Sequence, residues 1–261
     1  MRIKITFEHK KGEILPWDYQ YALQQWIYST LSKSDEDLAT QLHDEGYVVD
    51  GKAYKLFAFS PWMGVGYKLL GSAGIQLLSS QSNITVSFLL PEVLSTFVSG
   101  LFMDQAHRFY FKNNKVIPTI VTGVEIAKSP HFVDGKMAYS LKSGAKISIK
   151  HEQFAHPQYI GPDHAEYKNR FLQNLKNKYS ASIISTKYSD LSVPLELNIL
   201  SSYKTQKINV MKDGYFIEMK GYKFDFELEA PSVLHKTLFY AGVGEECSMG
   251  MGWVEVLEKE E

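Results

Sequence analysis

The chain opens on strict alternation: Ile3, Ile5 and Phe7 share one face of MRIKITFEHK with polar residues between them, the period of a half-buried strand. The period then changes. After Pro16, Leu23, Trp26, Ile27 and Leu31 recur at three- and four-residue intervals, which predicts a helix with one buried stripe. A shorter helix is expected in SDEDLATQLHDEG, with Ser34 as N-cap, an acidic first turn, Leu38 and Leu42 facing inward and Gly46 at the C′ position. Strands follow in AYKLFAFS, GIQLLSS and NITVSFLL. Pro91 starts another helix with Val93, Leu94, Phe97, Val98 and Leu101 on its buried face, and HRFYFKNNKVIPTIVTGVEIAK returns as strand around a turn at Asn113 and Asn114.

The second half repeats this order more loosely. Strands are expected around MAYSLKSGAKISIKH, a helix from about Asp163 to Tyr179, then strands in LELNIL, KINVM and YFIEMKGYKFDFEL, a helix from Pro231 and a last strand, WVEVLE. Each half reads β-α-β-β-α-β, the split βαβ plan of ferredoxin-like domains. The expected class is therefore α+β, with two tandem ferredoxin-like (RRM-like) antiparallel sheets in domains 1–125 and 126–261. The boundary is expected where Gly123, Pro130 and Asp134-Gly135 cluster.

Composition narrows the class. With 44% hydrophobic and 13% aromatic residues the chain has enough apolar surface for real cores, which excludes disorder. Lys+Arg 28 against Asp+Glu 29 gives a net charge of -1, so any nucleic-acid site must be a local patch. The single cysteine, Cys247, excludes an internal disulfide and a cysteine-cluster metal site and suits a reducing cytoplasm. There is no signal-like h-region and no apolar run of about 20 residues, so no membrane association is expected.

Several residues carry candidate chemistry. GVGEECSMGMGW places Gly242, Gly244, Gly250 and Gly252 in one loop between a helix and a strand, whereas nucleotide-binding glycine loops run from strand to helix. The expected use is close backbone approach, with N–H groups offered to phosphates. His43, at a helix end beside Asp44 and Glu45, is expected half-exposed at the rim of the core, and Tyr28 lies one step off its helix's buried stripe. Lys52 and Lys55 lie close enough in the chain to reach a site near His43. His151, His156 and His164 match no metal-ligand spacing, so no metal and no cofactor are expected, and Cys247 reads as an inert thiol. Lys136, Lys142, Lys146 and Lys150, with Lys168, Arg170, Lys176 and Lys178, read by default as a solvated face and alternatively as a positive strip tracking a phosphate backbone, with Tyr139, Phe154 and Tyr159 for base stacking.

Three stretches together carry a family resemblance: WIYSTL at 26–31, LHDEG at 42–46 leading into KLFAFS at 55–60, and GVGEECSMGMGWVEV at 242–256. The chain resembles the CRISPR-associated endoribonucleases of the RAMP superfamily, the family numbered six, which cut precursor CRISPR RNA within its repeats. The resemblance runs from the first strand to the last and implies two tandem ferredoxin-like domains. It implies Tyr28, His43 and Lys55 as catalytic residues, with Lys52 as the alternative lysine, and Gly242, Gly244, Gly250, Gly252, Lys142 and Lys146 on the RNA-binding face. It further implies a metal-independent reaction with 2′,3′-cyclic phosphate and 5′-hydroxyl products. The implied partners are CRISPR repeat RNA and other proteins of an interference complex, for a monomer or homodimer; a non-catalytic RNA-holding RAMP subunit is the alternative. One departure stands out. Relatives often carry a basic residue early in the glycine loop, where this chain has Glu245 and Glu246.

Overall fold

A computed structural model describes residues 1–111, 114–150, 153, 154, 156–182, 195–212 and 215–257. Strand Arg2–Glu8 is paired on both edges, with Val116–Ile126 on one side and Gln81–Phe88 on the other, all antiparallel. Ala106–Tyr110 extends the sheet beyond the first neighbour and Phe57–Phe59 beyond the second. The alternation of the opening strand thereby puts Ile3, Ile5 and Phe7 in the core under helix α1 (Tyr19–Ser34), followed by α2 (Glu36–Asp44) and α3 (Pro91–Met103). Leu23, Ile27 and Leu31 of α1 meet Val93, Phe97 and Leu101 of α3 in that core. The two helices approach to the limit: a Cβ at Gly100 would lie 1.9 Å from the Thr30 carbonyl oxygen, so no residue larger than glycine fits there.

Local expectations need correction at several points. Asp35, not Ser34, caps α2, its carboxylate accepting the Leu38 N–H at 2.9 Å; Ser34 is still the last residue of α1, and the extended backbone a cap requires begins at Asp35. Gly46 does take the C′ position, with φ 63° and its N–H on the Gln41 carbonyl. AYKLFAFS is two strands: Lys52–Tyr54 pairs back on Tyr47–Val49, and after Leu56, in the left-handed region at φ 54°, Phe57–Phe59 joins the main sheet. GIQLLSS supplies Ile75–Leu77 to a small separate sheet with Ile14–Leu15 and Tyr67–Leu69. Asn113 lies outside the described residues; Asn114 has φ 58°.

The C-terminal sheet runs Glu196–Ile199, Asp225–Ala230, Gly135–Leu141, Val254–Val256, with helices α4 (Tyr167–Ser182) and α5 (Ser232–Ala241). Helix α4 begins later than expected because residues 162–166 are turns, closed by the His164 N–H on the Gly161 carbonyl and the Tyr167 N–H on the His164 carbonyl. Lys204–Lys212 and Tyr215–Lys223 form a long separate hairpin, so YFIEMKGYKFDFEL is two strands parted at Phe224. In both sheets the first strand is flanked by the last and the third, with the second outside the third, the ferredoxin-like order. No helix among the described residues is long and apolar enough to cross a membrane.

The two sheets are joined through a buried cation. The Arg2 guanidinium is 3.0 Å from Glu255, donates to the carbonyls of Phe239 (2.8 Å) and Val254 (2.7 Å), and lies over the rings of Phe239 and Trp253 at 3.4 and 3.8 Å. Burial lowers its pKa to about 10, against the opposing pull of Glu255. Ser87 adds a hydrogen bond to the Tyr240 carbonyl at 2.5 Å. Arg2→Ala should cost on the order of 2–4 kcal/mol by removing charged hydrogen bonds and cation–π contacts, and Arg2→Lys should recover only part because an ammonium lacks the planar fork. Thermal unfolding followed by tryptophan fluorescence, with Trp253 in the clamp, measures both.

Candidate active site

Helix α1 carries Tyr28 on its buried side, and α2 returns His43 to it, the two rings meeting edge-on with centroids 4.8 Å apart. The chain then turns at Gly46, runs out and back through the hairpin Tyr47–Val49 and Lys52–Tyr54, and delivers Lys55 beneath the end of α2. There the Lys55 ammonium donates to the His43 carbonyl at 2.6 Å. The hairpin is held from below: Asn177 of α4 donates to the Tyr54 hydroxyl at 3.1 Å. The same hairpin separates the two candidate lysines, since Lys52 pairs opposite Val49 at its exposed tip while Lys55 reaches His43.

A third wall comes from the other half of the chain. The turn Cys247–Met249 packs on α1 and on Phe57–Phe59, and the Ser248 side chain hydrogen-bonds the Tyr28 phenol. Glu246, in the left-handed region at φ 59°, brings its carboxylate within electrostatic reach of Tyr28 and Lys55. On the helix side Asp44 Oδ1 is 2.7 Å from His43 Nδ1. Periodicity gave no sign of Ser248, Glu246 or Asp44, because each matters through a contact between distant elements or at a helix end.

Burial sets the electrostatics. It pushes the Tyr28 phenol far above the ordinary tyrosine range, with the Ser248 bond opposing and Glu246 and Asp44 adding. It also lowers the pKa of Lys55, against which Asp44 and Glu246 favour the ammonium. Among the described residues no group of three or more His, Cys, Asp or Glu side chains is arranged to hold a metal ion; His151 lies outside them. The arrangement brings an imidazole, a phenol and an ammonium together at the end of α2.

Residues 14–117 match the family described as CRISPR-associated protein Cas6, N-terminal, and residues 127–256 match CRISPR associated protein Cas6, C-terminal. The chain belongs to the Cas6 family. It is 23% identical over 263 residues to the CRISPR-associated endoribonuclease Cas6 1 of Methanocaldococcus jannaschii, covering 99% of this chain and 93% of the relative. To the CRISPR-associated endoribonuclease Cas6 of Pyrococcus furiosus it is 24% identical over 247 residues, 93% and 83% of the two chains. The solved structure of a Cas6-related gene from Pyrococcus furiosus superposes with a TM-score of 0.80 at 17% identity, over 100% of this chain and 99% of that one, which shows the shared fold.

Within this Cas6 chain the signature glycines are buried and approach the protein itself. A Cβ at Gly244 would lie 2.5 Å from the Lys146 carbonyl oxygen, one at Gly252 1.9 Å from that of Val243, one at Gly242 2.9 Å from Cys247 Sγ and one at Gly250 2.8 Å from the Gln20 side chain. The N–H groups of Gly250 and Gly252 are taken by Cys247 and Gly144 carbonyls, so they are not the phosphate donors the loop suggested. Lys146 is buried against Glu245 (3.0 Å) and Glu246 (3.5 Å), which answers the departure at those positions: the acidic pair neutralises a lysine of its own domain. Lys178 is buried too, donating to the Ala241 and Gly242 carbonyls at the end of α5 and to Cys247 Sγ. Tyr139 is fully buried with its hydroxyl on His235, which leaves it unable to stack on a base. Lys142 remains exposed, as do Lys150 and Lys168.

The glycines therefore seat the loop. Gly252→Ala must fit a Cβ at φ 68° against a carbonyl, whereas Gly12→Ala at φ 85° meets nothing within 4 Å. We expect Gly12→Ala to cost about 1–2 kcal/mol from its backbone conformation alone and Gly252→Ala to cost at least about 2 kcal/mol more through overpacking. Chemical denaturation of the two variants tests the difference.

Proposed function

We propose that this chain is a metal-independent endoribonuclease that cuts precursor CRISPR RNA within its repeats by attack of a ribose 2′-hydroxyl on the adjacent phosphorus. The products would carry a 2′,3′-cyclic phosphate and a 5′-hydroxyl. One observation carries the reading: Tyr28 and His43 in ring contact with Lys55 bonded to the end of the same helix. The two curated relatives, matched over nearly the whole chain, are named as endoribonucleases, which supports it.

The chemistry needs proton transfer and stabilisation of a phosphorane-like dianion. His43, with 55% of its side chain exposed, transfers the proton. Tyr28, whose raised pKa keeps it protonated, serves as a hydrogen-bond donor that orients the reacting oxygen. Lys55 places positive charge by the non-bridging oxygens, and the pull of Asp44 and Glu246 keeps that charge in place against burial. The repeat RNA lies on residues 126–261 through exposed lysines such as Lys142, while the loop Gly242–Gly252 shapes the wall beside Tyr28. The RNA-holding alternative without cleavage has no use for this trio.

The decisive experiment is incubation with repeat-containing RNA in EDTA. Cleavage should persist there, and His43→Ala should slow it about 10²–10⁴-fold, the range of general acid–base catalysis; a silent wild type or a fully active His43→Ala rules the proposal out. Lys55 acts only as the ammonium, and its pKa is lowered, so kcat should fall on the alkaline side earlier than a free lysine would dictate. Lys55→Arg should move that fall to higher pH, read from the pH profile under single turnover.

A further inference from the structure

Asp44 and His43 are consecutive on α2, and consecutive side chains on a helix do not face one another. Their contact at 2.7 Å is therefore not a by-product of helix geometry. It forms at the last residue of α2, where the backbone is fixed by the N–H groups of Glu45 and Gly46 on the Gln41 carbonyl and by the Lys55 ammonium on the His43 carbonyl. The ring is also braced by Tyr28, edge-on with centroids 4.8 Å apart. Asp44 and Tyr28 contact the ring itself, Lys55 bonds the His43 backbone carbonyl, and Glu246 from the loop acts on Tyr28 and Lys55.

A carboxylate only accepts hydrogen bonds, so the ring nitrogen it touches is the one that carries the proton. The opposite tautomer would aim a lone pair at a negative charge. We propose that Asp44 is a positioning residue that fixes His43 in the Nδ1–H tautomer and so reserves the Nε2 lone pair as the base for the 2′-hydroxyl. This rests on the reading of His43 as the proton-transfer group and goes beyond it by settling which direction the proton moves. Nε2 takes the 2′-hydroxyl proton as the 2′-oxygen bonds to phosphorus, and the bond from phosphorus to the 5′-oxygen breaks. The 5′-oxygen leaves as a hydroxyl after taking a proton from water, and the imidazolium returns its proton to the hydroxide so formed. The interaction partner is thus a nucleophilic hydroxyl next to a phosphodiester, which requires RNA rather than DNA at the cut.

The readout is the tautomer itself. Long-range nitrogen–proton NMR of selectively labelled His43 in the full chain, at alkaline pH, should show Nδ1 protonated in the wild type and Nε2 protonated in Asp44→Ala. Asp44→Ala should lose about 10–100-fold in single-turnover rate, a fraction of what general base catalysis contributes, with RNA affinity within about twofold. Asp44→Asn keeps an oxygen acceptor in place and should retain the Nδ1–H form and most of the rate. An Nε2–H wild type, or an Asp44→Ala enzyme as fast as wild type, overturns the inference while an inactive His43→Ala leaves the proposed function standing; an active His43→Ala overturns both. If Asp44→Ala unfolds, the Asn variant and the wild-type tautomer still decide.

Discussion

A guanidinium buried between two aromatic rings holds the two halves of this protein together. Arg2 sits in the first strand of the first sheet, and its partners are the end of α5 and the start of the last strand of the second. A buried charge must be paired or it is expensive, so two carbonyls, a carboxylate and two ring faces have to stay where they are for the fold to be stable. Helix α5 and strand Val254–Val256 are thereby fixed against the first sheet. The loop that connects them is fixed with them, and it is this loop that delivers Ser248 to Tyr28 and Glu246 to the neighbourhood of Lys55.

The candidate site is consequently shared. Two of its groups come from helices of the first half and one from the entry to its edge strand, while the loop of the second half closes the remaining side. The glycines explain how the loop can lie so close. Gly242, Gly244 and Gly252 lie against carbonyl or sulfur atoms of the protein and Gly250 against the Gln20 and Phe59 side chains, and all four take positive backbone angles that favour glycine. Their clustering in the sequence reflects tight packing beside a site, and the acidic residues between them balance Lys146, a buried lysine of the same domain.

Much of this was legible in advance where one element is enough to decide the matter. The alternation of Ile3, Ile5 and Phe7, the stripe from Leu23 to Leu31 and the C′ glycine at 46 are local, and the structure keeps all three. AYKLFAFS reads as one strand but is two, because Leu56 takes the left-handed region at the start of its apolar run, and propensity holds no signal for that turn. The positive strip survives only in part, with Lys142, Lys150 and Lys168 exposed, and its losses have a similar reason. A lysine reads as exposed by type, yet Lys146 and Lys178 are buried because carboxylates and helix-end carbonyls stand ready for them, and those partners lie 63 to 99 residues away.

By itself, then, the amino-acid order determined the elements, their twofold repetition and, through a few motifs at characteristic spacing, the family and the three residues to watch. It could not bring Lys55 onto the His43 carbonyl, place Ser248 and Glu246 beside Tyr28, or show that Asp44 contacts the imidazole. The physical reason is range. Periodicity and capping act within one or two turns of chain, whereas a site is made by burial and hydrogen bonds between groups that only the packed sheets bring within 3 Å of each other.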